Sequence, residues 1–123
     1  MILNLTQHKA TQDQIDQGVV DFDDETRAKI SQLLAFDEMP DRNEMIERAH
    51  KLVTILRLKN HIRCEVMIGG APFFMYTLER ALYMNEFNPV FAFSKRVSVE
   101  KEVDGKIIKT NEFKHIGFIR SGI

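Results

Sequence analysis

Three short apolar runs, separated by segments with helical patterns, are the feature that most restricts how this chain can fold. The runs are Met1–Thr6, Cys64–Ile68 and Val90–Ser94. They are β-compatible and apolar enough to be buried on both faces, which is typical of strands that lie between helical layers. Strands that alternate with helices form parallel sheets. The sequence therefore predicts an α/β domain with a small, mainly parallel central sheet.

The segment after the first run predicts a short helix. Thr11 and Gln14 match a capping box, in which each residue satisfies a backbone N–H group beside the other. Gly18 is placed to end this helix, because glycine is favoured at helix C-termini. The following Val19–Phe22 is expected to be an extended connector or a brief edge strand.

Three longer helices are predicted further along the chain. Asp23-Asp24-Glu25 suits the first turn of one of them, because a helix N-terminus carries partial positive charge. Pro40 and Asp41 begin the next, in which Asp41-Arg42-Asn43-Glu44 matches a capping box. A further helix is expected from Pro72 to Asn85, since proline is tolerated at the first helical position. That helix is apolar on more than one side, which favours burial between layers or in a subunit interface.

The pattern changes after the third run. Val97–Val103 and Lys106–Lys109 alternate on either side of Asp104-Gly105, and Asp-Gly between two such runs is a strong hairpin signal. Phe113–Arg120 is expected to add one more strand. Residues 1–123 are thus predicted to form a single three-layer α/β domain with an antiparallel hairpin extension at the C-terminal end.

Composition excludes several classes of protein. The 17 basic and 18 acidic residues give a formal net charge of −1, so duplex nucleic acid is not an expected partner. The first residues are too short an apolar run for a signal peptide, and no segment is apolar enough to span a membrane. Cys64 is the single cysteine, which suits a reducing compartment. A cytoplasmic protein without membrane contact is predicted.

Polar residues and glycines follow all three apolar runs. In open parallel sheets the carboxyl ends of the strands meet at one edge, where ligands bind. This rule predicts a composite site that offers hydroxyls, an imidazole, free backbone donors and two cations, a set suited to a nucleotide or another anionic small molecule. The candidate residues are Thr6, Gln7 and His8 after the first run, Gly69, Gly70 and Ala71 after the second, and Ser94, Lys95 and Arg96 after the third.

Each part of this site also has a structural interpretation. The pair Gly69-Gly70 lacks the Lys-Ser/Thr of a P-loop and the third glycine of a dinucleotide fingerprint, so it can equally be a tight turn. His8 can form a local loop hydrogen bond, and Lys95 and Arg96 can be solvated residues at a strand end. No histidine has a partner at metal-ligand spacing, so neither a metal nor a cofactor is predicted.

Two motifs carry a resemblance to a known group of proteins. Asn4-Leu5-Thr6-Gln7-His8 ends the first predicted strand, and Ile68-Gly69-Gly70-Ala71-Pro72-Phe73-Phe74-Met75 joins the second strand to a helix. Together they resemble the CARF-like (CRISPR-associated Rossmann-fold) group, in particular the small single-domain members that accompany type III CRISPR systems. The resemblance is confined to these two short motifs, although the predicted α/β arrangement agrees with it over most of the chain.

The resemblance implies a Rossmann-like homodimer that binds a cyclic oligoadenylate across its two-fold axis. In some members it implies a ring nuclease that cleaves this ligand without a metal. The polar residues of the first strand would correspond to Thr6, Gln7 and His8, with His8 assisting as an acid or base. The glycine-containing phosphate loop would correspond to 69–71.

The chain departs from the group at one position of this loop. Many members carry Ser/Thr and Lys after the glycines, where this chain has Ala71-Pro72-Phe73. A cation would then have to come from Lys95 or Arg96, of which Arg96 is the candidate for a catalytic role. The lack of a cation in this loop puts cleavage of the ligand in question more than its binding.

Two other functions remain open on the sequence. The first is a non-enzymatic accessory or interaction protein of phage, plasmid or bacterial origin, in which Gly69-Gly70 is only a turn. The second is a small enzyme that acts on another phosphorylated or anionic metabolite. If the chain is a homodimer, the apolar helix from Pro72 to Asn85 is expected to form part of the interface.

Overall fold

The computed structural model describes residues 1–59 and 61–122, in which helices alternate with the strands of one five-stranded sheet. The sheet has the strand order β2-β1-β3-β4-β5 and is parallel except for the antiparallel pair β4–β5. The mixed α/β fold with a mainly parallel sheet and a C-terminal antiparallel pair is therefore confirmed. The elements are β1 (Ile2–Leu5), α1 (Gln12–Asp16), β2 (Val19–Val20), α2 (Asp24–Leu34), α3 (Arg42–Leu58), β3 (Glu65–Ile68), α4 (Pro72–Met84), β4 (Asn88–Val103) and β5 (Lys106–Arg120).

The first three helices each begin after a side chain that accepts a backbone N–H group. Thr11 and Gln14 form the predicted capping box of α1, and Asp23 and Asp41 accept backbone N–H groups at the starts of α2 and α3. Pro72 is the first residue of α4. None of the helices described is long and apolar enough to cross a lipid bilayer.

Helices α2, α3 and α4 cover one face of the sheet. Leu3 and Leu5 of β1 and Val66 and Ile68 of β3 project into this layer and are almost fully buried. Apolar area removed from water in this layer is the main favourable term for the fold. The largest fully buried helical side chains in it are Ile30, Leu52, Leu56, Phe74, Leu78 and Leu82.

The opposite face carries a smaller cluster, formed by Ile2, Val19, Met67 and Val90. Ala10 and Phe118 pack against it. Strand β5 also meets α1 on this side. The Gln17 amide donates to the Ile116 carbonyl at 3.3 Å, and Gln17 Oε1 lies 2.9 Å from His115 Nε2. The C-terminal strand β5 therefore packs against the smaller cluster and contacts the end of α1 on this face of the sheet.

Strands β4 and β5 are longer than the sequence predicts. The predicted strand end at Ser94 is wrong, because β4 continues to Val103, and β5 runs without interruption to Arg120. Strand β4 pairs with β3 only over 88–90, after which β5 is its one partner strand. The polar residues that indicated a strand end lie instead in a two-stranded ribbon, where both faces meet water. We call residues 94–103 and 106–115 the arm.

The predicted Asp104-Gly105 turn closes the arm. Both residues have positive φ, 52° and 75°, as a two-residue turn of this hand requires. A bulge interrupts the β4–β5 ladder, with Phe93 paired to Gly117 and Ser94 to His115. Such bulges bend the bulged strand and increase its local twist.

The carboxylate of Asp23, at the start of α2, forms an ion pair with Lys59 at the end of α3, and it makes the free energy of unfolding depend on pH. Hydrogen bonds from the Thr26 backbone N–H and the Lys59 ammonium lower the pKa of Asp23 from 3.8 to about 2. A lowered pKa means that the folded state favours the charged form, so this stabilisation is complete above pH 3.8 and is lost as pH falls through about 2.

We therefore expect Asp23→Asn to be less stable than the wild type at pH 6 and to approach it as pH falls toward 2. Asparagine keeps the helix cap but lacks the charge that Lys59 pairs with. Urea unfolding of both proteins at several pH values measures the difference. A difference that stays constant from pH 6 to pH 2 would contradict the assignment.

Candidate functional site

A buried asparagine organises the loop that leaves β1. The Asn4 amide donates to the carbonyl of His8 at 2.8 Å and to Asp21 Oδ1 at 2.7 Å. Its Oδ1 accepts the Thr6 backbone N–H at 3.1 Å and lies 2.7 Å from the Thr6 hydroxyl. The side chain is 4% exposed and thus uses both donors and both acceptor positions.

Asp21 completes this network from the segment after β2. Its carboxylate accepts the backbone N–H of Ala10, at 3.2 Å to one oxygen and 3.3 Å to the other, besides the Asn4 amide. The Thr6 hydroxyl accepts the His8 backbone N–H at 3.3 Å. Residues 6–10 are therefore held by the buried Asn4 at one end and the half-buried Asp21 at the other, while the contacts described for His8 involve its backbone and leave its imidazole exposed.

This loop and the β3–α4 junction border one cavity of about 530 Å³ at the carboxyl edge of the sheet. Lys9 and His8 are its basic residues, and none of the described lining residues is a carboxylate. The lining therefore offers hydrogen-bond donors and positive charge without an acidic group that would repel an anion. It consists of Thr6, Gln7, His8, Lys9, Thr11, Gln14, Met67, Ile68, Gly69, Gly70, Phe91 and Ala92.

The two glycines of the junction have different structural requirements. Gly70 has φ +151°, which side-chain-bearing residues rarely adopt, and a Cβ there would lie 3.4 Å from the Met75 methyl. A Cβ on Gly69 would meet the Thr6 methyl at 3.7 Å, an ordinary contact. The backbone conformation therefore requires glycine at 70, whereas at 69 glycine keeps the wall of the cavity open.

We expect Gly70→Ala to lower the free energy of unfolding by about 1–3 kcal/mol, because alanine is strained at this φ. Gly69→Ala is the matched control and is expected to change stability by less than about 1 kcal/mol. Urea unfolding of both variants measures the effect. Equal destabilisation by the two substitutions would contradict this distinction.

Ala71 lies at the start of α4 but does not line the cavity. It caps the helix without a side-chain hydrogen bond, its carbonyl accepts the Phe74 N–H at 3.0 Å, and its methyl packs against the larger apolar cluster. The next residue but one, Phe73, packs edge-on against Phe36 at 5.1 Å. The first turn of α4 thus faces the α2–α3 side, and the glycines alone represent the predicted phosphate loop in the cavity.

The structure does not bring the predicted residues of the third run to this cavity. Ala92 is the last β4 residue in the lining, and Lys95 lies three residues further along the arm, about 10 Å away at the rise of a β-strand. Lys95 is paired directly opposite Lys114, and the Arg96 guanidinium lies 5.4 Å from the ring centroid of Phe113. Ser94, Lys95 and Arg96 are not among the residues that line this cavity, because β4 does not end there but continues into the arm.

Several residues that shape the site were missed by sequence reasoning. Lys9 and Gln14 line the cavity, and Asp21 accepts a hydrogen bond from Asn4, the residue that holds the loop beside the cavity. The sequence contained one signal. Asn4 is the polar residue of an otherwise apolar, buried strand, and a buried amide needs hydrogen-bond partners. Gln7, which was predicted, lines the cavity and donates through its amide to the Ser31 carbonyl of α2 at 3.3 Å.

Among the described residues, no group of three or more His, Cys, Asp or Glu side chains is arranged to hold a metal ion. In comparisons with known proteins, residues 1–119 match a protein family that is described as "Uncharacterized protein MJ1673 family". No curated protein and no solved structure gives a significant match. The match extends over nearly the whole chain. It includes the arm and both of the motifs that line the cavity.

Proposed function

This chain belongs to the MJ1673 family, and we propose, from the geometry of its cavity, that it binds a cyclic oligoadenylate or a related nucleotide at the carboxyl edge of its sheet. One observation carries the proposal: the two motifs that suggested it, around Thr6–His8 and Gly69-Gly70, border a single cavity without a carboxylate among its described lining residues. Residues that are 61 or more positions apart in sequence contribute to it because β1 and β3 are hydrogen-bonded neighbours.

The chemistry of the lining suits a phosphodiester. Backbone donors at Gly69 and Gly70 can approach an anion closely because no side chain intervenes. Lys9 supplies the formal positive charge that was expected from Lys95 or Arg96. Apolar surface from Phe91 and Ala92 lies beside these groups and suits a nucleobase.

In this proposal the fold is a Rossmann-like domain, and two copies bind one ring across a two-fold axis in the cytoplasm. A ring with internal symmetry presents equivalent phosphates to both copies, so each copy needs only one such cavity. Thr6, Gln7, Gly69 and Gly70 are the proposed binding residues. Ala71, Ser94, Lys95 and Arg96 are left out of it, since they do not line the cavity.

Ring cleavage would need no group beyond the chain itself. A ribose 2′-hydroxyl attacks the adjacent phosphorus, the bond from phosphorus to the 5′-oxygen breaks, and a 2′,3′-cyclic phosphate and a 5′-hydroxyl result. His8 would take the proton of the 2′-hydroxyl or give one to the leaving oxygen. The glycine N–H groups and Lys9 would stabilise the charge that develops on the phosphoryl oxygens.

Calorimetric titration with cyclic tetra- and hexa-adenylate tests binding. We expect saturable binding below tens of micromolar, with linear oligoadenylates of the same length as the control ligands. Absence of binding at tens of micromolar to either ring would refute the nucleotide proposal. Incubation of a bound ring with chelator, followed by chromatographic analysis of the products, then tests metal-independent cleavage.

The two alternatives make different predictions in the same experiment. A non-enzymatic accessory protein, for which the exposed arm and the aromatic residues on the outer side of α4 would be the contact surfaces, binds no ring. An enzyme for another anionic metabolite would bind a mononucleotide or a sugar phosphate at the same cavity.

A further inference from the structure

Helices α3 and α4 border a groove of about 630 Å³ on their exposed side, which we call the α3–α4 groove. Small side chains form its floor, where Ala49 is 1% exposed and Ala81 is half-buried. Apolar side chains line its walls, among them Ile46 and Met84, of which Met84 is 69% exposed. The groove shares no described residue with the cavity at the carboxyl edge of the sheet. It is therefore a second concave surface with apolar area open to water.

The charged side chains that line the α3–α4 groove are all basic. They are Arg42 and Arg80, and the imidazole of His50 lies between them in the sequence. All three residues are exposed, and none of the ion pairs found among the described residues involves them. The Arg80 guanidinium donates to the Tyr76 hydroxyl at 3.4 Å, which leaves its charge uncompensated. The groove thus offers positive charge beside apolar surface.

The nearest carboxylates in the sequence do not line this groove. Asp41 precedes Arg42, but its Oδ1 accepts the Glu44 backbone N–H at 2.8 Å at the start of α3. Glu79 precedes Arg80, but one residue is a rotation of about 100° around a helix. That rotation places Glu79 on the side of α4 that faces away from the groove. A ligand in the groove therefore meets cations without a neighbouring carboxylate that would repel an anion.

The basic groups are spread along the length of the groove. Arg42 and His50 are eight residues apart on α3, or about 12 Å at the rise of an α-helix. Arg57 follows seven residues later on the same side of α3 and donates to Asn85, which lines the groove near the end of α4. A compact anion cannot contact cations that are this far apart. An extended acidic partner can contact all of them.

Among extended acidic partners, the floor of the groove favours a peptide over a nucleic acid. Ala49 and Ala81 leave room for aliphatic side chains, and an amphipathic helix places such side chains into a groove at helical spacing. A single-stranded nucleic acid instead needs a series of aromatic rings on which its bases stack, whereas Tyr76 is the one aromatic residue among those that line the groove. The net charge of −1 is also unfavourable for binding a polyanion.

A second copy of this chain is a less suitable occupant. A two-fold interface brings the same surface of both copies together, and this surface carries only positive charge. We therefore propose that the α3–α4 groove binds an acidic amphipathic helix of a partner protein. Its apolar side chains would lie over Ala49 and Ala81, and its carboxylates would pair with Arg42 and Arg80. This site is separate from the nucleotide cavity and does not rest on the proposed function.

Selection from a displayed peptide library tests the chemistry of the occupant. Each peptide is a helix of about 18 residues with Leu, Ile, Phe or Met at every third or fourth position and either Glu or Lys on both flanks. We expect the peptides that bind the wild type to carry Glu on their flanks. Fluorescence anisotropy of the most enriched peptide should give a dissociation constant below about 100 μM, and the same peptide with Lys for every Glu should bind at least about tenfold more weakly.

Charge variants at exposed positions test the location of the site. Arg80→Glu is expected to weaken the Glu-flanked peptide at least about tenfold and to strengthen the Lys-flanked one. Lys51→Glu is the matched control, because it changes net charge equally but lies on another side of α3, where Lys51 pairs with Glu47 at 3.3 Å. It should bind the peptide within about threefold of the wild type. Met84→Gln tests the apolar wall and is expected to weaken binding by about threefold or more.

Two checks accompany these measurements. Urea unfolding should show wild-type stability for Arg80→Glu, because residue 80 is exposed and makes no ion pair among the described residues. Ring titration should be the same for Arg80→Glu and the wild type, since Arg80 does not line the nucleotide cavity. Failure of the ring to bind would refute only the nucleotide proposal, and failure of the peptide to bind would refute only this one.

Four outcomes would overturn the proposal. The first is no peptide that binds at about 100 μM, or equal enrichment of Glu and Lys on the flanks. The second is an equal loss of binding in Lys51→Glu and Arg80→Glu, which would indicate a general effect of net charge. The third is a single-stranded oligonucleotide that binds through Arg80 where the peptides do not. The fourth is a dimer in sedimentation equilibrium that Arg80→Glu dissociates, which would assign the groove to a second copy.

Discussion

Replacing Asn4 with aspartate is expected to destabilise the protein by about 3–5 kcal/mol at neutral pH. The substitution keeps the shape of the side chain but replaces its two donors with a carboxylate oxygen. That oxygen would face the Asp21 carboxylate and the His8 carbonyl, which now receive hydrogen bonds of 2.7 and 2.8 Å. At 4% exposure water cannot compensate for the loss.

Two controls show whether the effect comes from this network. Asp21→Asn combined with Asn4→Asp restores a donor between the two side chains and is expected to recover part of the lost stability. A lower pH should also reduce the difference in free energy of unfolding between Asn4→Asp and the wild type, because the introduced carboxyl group can donate a hydrogen bond once it is protonated. Urea unfolding of the three proteins at pH 7 and pH 4 measures both effects. An unrescued double variant would indicate that the cost arises from packing alone.

The proposed ring cleavage predicts a large effect at His8. We expect His8→Ala to slow cleavage by about a hundredfold or more, the usual contribution of a general acid or base, while the ring still binds within about threefold of the wild-type dissociation constant. Binding is expected to persist because Asn4 and Thr6 hold the loop through the backbone of residue 8, which alanine retains.

The matched control is His50→Ala, since His50 is also exposed but lies on α3, outside the lining of this cavity. It is expected to bind and cleave like the wild type. Single-turnover rates of ring cleavage, measured in the presence of excess chelator, report on the chemical step. Cleavage that is as fast in His8→Ala as in His50→Ala would exclude His8 as the acid or base, and lost binding would indicate a role in recognition instead.

Local features of the sequence predict much of the fold. The capping residues Thr11 and Asp41 and the turn at Asp104-Gly105 were found because each signal lies within a few residues of the structure it specifies. The buried runs before Thr6 and Gly69 were found because burial on both faces leaves an apolar composition. These signals also predict that the two motifs meet at one edge of the sheet.

The arm could not be predicted in the same way. Alternation over 97–109 indicated a hairpin, but Lys95 and Arg96 were interpreted as the end of a strand because polar residues usually follow buried strands. In the structure they mark only the point where β4 loses its second neighbour and its burial. Whether a strand continues beyond a sheet depends on its pairing with a distant segment, here β5.

The sequence by itself thus determined the order of helices and strands, the helix caps, the turn and the two glycines that end β3, because short-range sterics and hydrogen bonds specify them. Only the tertiary structure decided which candidate residues share a cavity. Asn4 and Asp21 meet because β1 and β2 are adjacent, and Lys95 and Arg96 leave the site because β4 extends past β3. Side-chain contacts between distant segments depend on strand register, and register is a property of the assembled sheet.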